Sequence, residues 1–93
     1  MKVIEEFAVP DTDKDGEFEI PMPLGSAVLT VQIRDGFLVI WAVVDPSEQL
    51  VAKEFLFIPT DADIRDDSRL KRYVGSCQES DEHATYHLFE FLS

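Results

Sequence analysis

Cysteine is almost missing from this sequence. Cys77 stands alone, so an internal disulfide is excluded, and a single inert thiol fits a reducing compartment. Basic residues are scarce too: 8 lysines and arginines face 19 aspartates and glutamates, for a formal net charge of −11. Such a balance repels phosphate backbones and anionic lipid, so no direct nucleic-acid contact and no membrane contact are expected. No apolar run approaches the roughly 20 residues needed to cross a bilayer. The N-terminal MKVIEEFAVP has glutamates where a signal peptide requires an apolar segment, and the expected compartment is the cytoplasm. Serines 26, 47, 68, 76, 80 and 93 lack a nucleophile motif, and no Gly-rich loop opens a helix to cradle phosphate. The expectation is a non-catalytic protein without a cofactor.

Helical periodicity is also lacking, and what stands in its place is β patterning. The stretch Ala27–Asp45, AVLTVQIRDGFLVIWAVVD, places two apolar runs around Asp35-Gly36. That dipeptide supplies the positive φ angles of a two-residue type I′ turn. Setting Arg34 opposite Phe37 pairs Ile33 with Leu38, Val31 with Ile40 and Thr30 with Trp41. Strict alternation then gives a dry face of Leu29, Val31, Ile33, Leu38, Ile40, Ala42 and Val44. The opposite face, with Val28, Thr30, Gln32, Arg34, Phe37, Val39, Trp41 and Val43, is mixed. It is either covered as core or left open as an apolar patch for dimerisation or partner docking.

Strands are also expected over 2–8, 16–20, 51–58, 69–77 and 84–92, with Pro21 and Pro23 marking a connection or protected edge. In 51–58, Val51, Lys53, Phe55 and Phe57 share one side, and Glu54, Leu56 and Ile58 the other. In 69–77, Leu70, Arg72 and Val74 oppose Lys71, Tyr73 and Gly75. In the last strand, Tyr86, Leu88, Glu90 and Leu92 alternate with Thr85, His87, Phe89 and Phe91. The fold class that follows is all-β: one domain over 1–93, a small antiparallel sandwich or partly open barrel of about six strands.

No metal site is expected. Asp11-Thr12-Asp13-Lys14-Asp15-Gly16 reproduces the opening of a calcium loop, with Glu19 at its ninth position. The twelfth position, which needs a bidentate glutamate, is Met22, so an acidic turn between strands accounts for the segment. His83 and His87 have helical ligand spacing, but a strand holds them about 13 Å apart, too far to share a zinc ion.

Two binding sets remain. The first joins Phe37, Trp41 and Gln32 to the acidic residues Asp61, Asp63, Asp66 and Asp67, as a surface for a basic protein. The second gathers Arg34, Arg65, Arg69, Arg72 and Tyr73, with guanidinium forks and an aromatic ring for a nucleotide-like anion. The bland accounts are solubility for the acidic residues and local ion pairing for the basic ones.

The run Ser26-x-x-Leu29-x-Val31-Gln32-x-x-x-Gly36, followed by Leu38-x-x-Trp41-Ala42-x-Val44-Asp45-Pro46, resembles a family of small uncharacterised bacteriophage and prophage proteins. The similarity continues through Glu54-x-x-Phe57, Thr60, Tyr73-Val74-Gly75-Ser76 and His87-Leu88-Phe89-Glu90. Where the family has a Gly-Thr-Gly-His-type loop, this chain has Pro59-Thr60-Asp61-Ala62, so a role for that histidine does not carry over. The resemblance implies a phage setting and a compact β fold, and no reaction.

In that setting the expected function is a small binding protein that inhibits or sequesters a host factor, such as an antiviral-defence component. The alternatives are a homo-oligomeric sponge for a nucleotide-like signal, as a homodimer or larger assembly, and a structural virion-associated protein.

Overall fold

A computed structural model describes residues 1–10, 16–64, 69–78 and 84–92. The calcium-like Asp11–Asp15 stretch, Arg65, Asp66, Asp67 and His83 lie outside them. Seven strands run along the described residues: β1 (Val3–Ala8), β2 (Glu17–Pro23), β3 (Ala27–Arg34), β4 (Phe37–Val44), β5 (Leu50–Pro59), β6 (Lys71–Gln78) and β7 (Thr85–Phe91). They form a three-stranded sheet, β1-β4-β3, and a four-stranded sheet, β2-β5-β7-β6, with every pairing antiparallel. The result is an all-β sandwich that does not close into a barrel. It has one strand more than the spacing of turn signals predicts, and β2 runs on through Pro21 and Pro23. Both prolines are tolerated there because β2 is an edge strand whose outer side needs no donor. No helix among the described residues is long and apolar enough to cross a membrane.

The β3–β4 hairpin closes as its turn residues dictate. Asp35 and Gly36 take φ of 53° and 83°, both positive as a type I′ turn requires, and Arg34 faces Phe37. Val31, Ile40, Ala42 and Val44 are buried against the second sheet. Leu29 is not, which corrects the expectation from strict alternation. A bulge between Val28 and Thr30 inserts one extra residue into β3, so Val28 faces Ala42 and takes the buried place, while Leu29 is 46% exposed. Ile33, in register with Leu38 next to the turn, is also exposed.

The four-stranded sheet sends Phe18, Ile20, Met22, Phe55 and Leu88 into the same core. Phe18 and Phe55 face each other across β2 and β5, and their rings stack at 5.2 Å. The outer side of this sheet carries a smaller apolar cluster, Leu56, Ile58 and Phe91, with Ala62 and Phe89 packed on it. Over Phe55–Ile58 both faces of β5 are therefore packed, which is why FLFI reads as continuous apolar sequence, while Glu54 before it stays exposed.

Candidate functional site

Residues facing away from the core on the three-stranded sheet form one continuous surface. Register puts Glu6 opposite Trp41, Ile4 opposite Val43 and Ala8 opposite Val39 on the β1 side. On the β3 side Thr30 faces Trp41, Gln32 faces Val39 and Arg34 faces Phe37. Phe37 is 74% exposed and Ile4 67%, while Trp41 and Val43 are half-buried. The surface is organised around one carboxylate. Glu6 Oε1 accepts hydrogen bonds from Trp41 Nε1 at 3.0 Å and from Arg34 Nη1 at 2.7 Å. The Trp41 hydrogen bond first, and the Arg34 bond and charge after it, hold the Glu6 carboxyl below its ordinary value. Trp41 is thus fixed in orientation, with an anion at its indole edge.

Gln32, Phe37 and Trp41, joined on sequence grounds, are brought to this one face. Asp61 and Asp63 are exposed in the β5–β6 connection, which follows a strand of the other sheet. Asp61 takes a positive φ of 73°, which aspartate tolerates better than most residues do.

Among the described residues, the cations of the second set, Arg34, Arg69 and Arg72, are spread over the molecule, each beside an acid. Arg34 pairs with Glu6 on the three-stranded sheet. Arg69 contacts Glu54 at 2.7 Å and Glu17 at 3.5 Å, and its guanidinium lies 3.6 Å over the Phe91 ring. Arg72 bonds Glu90 through Nε and donates from Nη2 to the Val28 carbonyl at 2.7 Å. Tyr73 points elsewhere, to His87.

Two arrangements escaped the reading of the sequence. The first is Glu90, a buried carboxylate 4% exposed, held between Arg72 and Lys53. Lys53 Nζ lies 3.2 Å from Oε2 without forming a directed hydrogen bond, so the attraction there is coulombic. Through the Val28 carbonyl, Arg72 ties this cluster to the bulge of the opposite sheet. The pattern held a signal, since Glu90 alternates with Tyr86 and Leu88 on the side that becomes core.

The second is a chain of hydrogen bonds on the outer side of the four-stranded sheet. Thr60 Oγ1 donates to the Thr85 carbonyl at 3.2 Å and so accepts from His87 Nε2 at 2.7 Å. His87 Nδ1 is then the acceptor for the Tyr73 hydroxyl at 2.8 Å. A bulge between Tyr73 and Gly75 keeps both Tyr73 and Ser76 on this outer side. The chain connects β6, β7 and the residue after β5, and Tyr73 also meets Phe89 edge-on at 5.3 Å. Nothing in the local sequence announces it, because its members come from three separate segments.

A cleft of about 320 Å³ opens beside the start of β5, lined by Met22, Pro23, Ser26, Lys53, Glu54 and Phe91 among others. Its two charged walls are engaged, Lys53 with Glu90 and Glu54 with Arg69.

Residues 1–92 match a family model described as Domain of unknown function (DUF7352). No curated protein and no solved structure matches the chain.

Proposed function

We propose that this chain, which belongs to the DUF7352 family, is a non-catalytic binding module that uses the outer face of the β1-β4-β3 sheet. One observation carries the reading: a mixed face that leaves Phe37 74% and Ile4 67% exposed holds a fixed Trp41 at its centre, on a molecule of net charge −11. An aromatic centre with a polar surround is the composition of a protein-binding surface, and the charge selects a partner with a basic rim. In the phage setting that the sequence resemblance implies, that partner is a host protein in the bacterial cytoplasm, of the antiviral-defence class. Nothing in the arrangement of Arg34, Arg69, Arg72 and Tyr73 favours the nucleotide sponge over this reading.

The test is affinity capture from bacterial lysate with the wild-type chain and with Phe37→Ser, followed by reconstitution with the purified captured protein. The expected result is a basic protein held by the wild type, lost by F37S, and bound more weakly as salt rises. Partners retained equally by both chains, or binding indifferent to salt, would overturn it.

A further inference from the structure

The centre of the face described above presents a carboxylate oxygen to solvent. Both donors to Glu6, Trp41 Nε1 and Arg34 Nη1, converge on Oε1. Oε2 accepts no hydrogen bond among the described residues, and the Glu6 side chain is 39% exposed. A carboxylate has room for about four hydrogen bonds over its two oxygens, and a guanidinium fork matches it best when both oxygens are used. Arg34 uses one only, with its own side chain 62% exposed. An ion pair so open to water holds weakly and exchanges readily.

The surroundings define what that oxygen would receive. Ile4 precedes Glu6 by two residues on the same side of β1 and faces Val43, and Trp41 lies directly opposite Glu6. A cation reaching Oε2 would therefore lie among apolar side chains, beside a carboxylate whose other oxygen is held in place by the indole N–H. The net charge of −11 favours the same sign of visitor.

We infer that Glu6 and Trp41 form a recognition site for one arginine or lysine side chain of the partner, carried on a segment with apolar residues on either side. Arg34 occupies half of that site in the free protein as an internal stand-in. The inference rests on the binding-module reading and specifies the chemistry of what that face receives.

Trp41 is the single tryptophan of the chain, so its fluorescence reports on this site alone. The probes are two acetylated, amidated pentapeptides, Leu-Val-Arg-Val-Leu and the same sequence with norleucine replacing arginine. The arginine peptide is expected to perturb Trp41 emission saturably and to bind at least five-fold tighter than the norleucine peptide. Glu6→Gln should erase that preference, and Arg34→Ala should strengthen arginine-peptide binding by removing the stand-in. Thermal melts of both variants establish that they are folded. Equal binding of the two peptides to the wild type, a preference that survives E6Q, or no binding of either would overturn the cation site. Each of those results leaves the wider reading to be judged by Phe37→Ser and the captured partner. That reading fails separately if F37S retains the same proteins.

Discussion

Replacing Arg72 by methionine tests how the two sheets are held together. The substitution keeps the aliphatic stem and removes the guanidinium. Two interactions go with it: the charge-assisted bond to Glu90 and the bond from Nη2 to the Val28 carbonyl at 2.7 Å. The first is worth roughly 1.5–3 kcal/mol and the second about 1 kcal/mol. Glu90, 4% exposed, is left with Lys53 alone. Half of the Arg72 side chain already meets solvent, so the total belongs at the lower end, about 2–3 kcal/mol. For a domain of this size that lowers Tm by roughly 8–24 °C. Urea denaturation followed by Trp41 emission gives the free energy, and the loss should persist in high salt because Glu90 is shielded from counterions. The double variant Arg72→Met, Glu90→Met should recover most of the stability, since a buried charge cluster replaced by apolar side chains often costs little. An Arg72→Met chain within about 0.5 kcal/mol of wild type would refute this account, because it would make the cluster no better than a surface ion pair.

Three further outcomes follow from the geometry. Because the β3 bulge gives the buried place to Val28, Val28→Ala should cost about 2 kcal/mol by urea unfolding, from lost burial and the cavity left behind. Leu29→Ala should stay within about 0.5 kcal/mol, and the reverse order would restore strict alternation. Gly16 and Gly36 have φ of +80° and +83°, but a Cβ at Gly16 would collide with the Phe57 carbonyl, whereas Gly36 has open space around it. Gly16→Ala should therefore lose about 2 kcal/mol or more and Gly36→Ala about 1 kcal/mol, a ranking read from thermal melts. The Glu6 carboxyl, held below its ordinary value by Trp41 and Arg34, stabilises the fold above its unfolded value, and that contribution is lost as pH falls through its folded value. Acid titration of Trp41 emission should show a step with its midpoint below the ordinary glutamate range, absent in Glu6→Gln; a midpoint within or above that range would contradict the bonding to Glu6.

The sequence was legible where local chemistry decides geometry. Asp35-Gly36 admits few turns, and the apolar period of β4 leaves little choice about which side is buried. It was illegible where one strand carries an extra residue. No glycine or proline marks the bulge at Val28–Thr30, and period-two reading carries its error to the Leu29 end of the strand. The outer side of the four-stranded sheet was half legible. Leu56 and Ile58 fall on one side of β5 by alternation, but the Ala62 and Phe89 packing on that cluster and the Arg69 guanidinium over Phe91 come from residues outside the strand. For the candidate site, Gln32, Phe37 and Trp41 could be put on one face from the hairpin alone. Glu6 could not, because it comes from β1, whose pairing with β4 spans 35 residues between Glu6 and Trp41.

The central claim, that the outer face of the three-stranded sheet is the binding surface, is tested most directly by site-specific photo-crosslinking in bacterial cells. A benzophenone amino acid at position 37 samples that face, and the same probe at position 54 samples the outer side of the other sheet, where Glu54 is exposed. The account predicts one discrete adduct with a basic protein from position 37 and none from position 54. Equal adducts from both positions, or an adduct from position 54 alone, would contradict it.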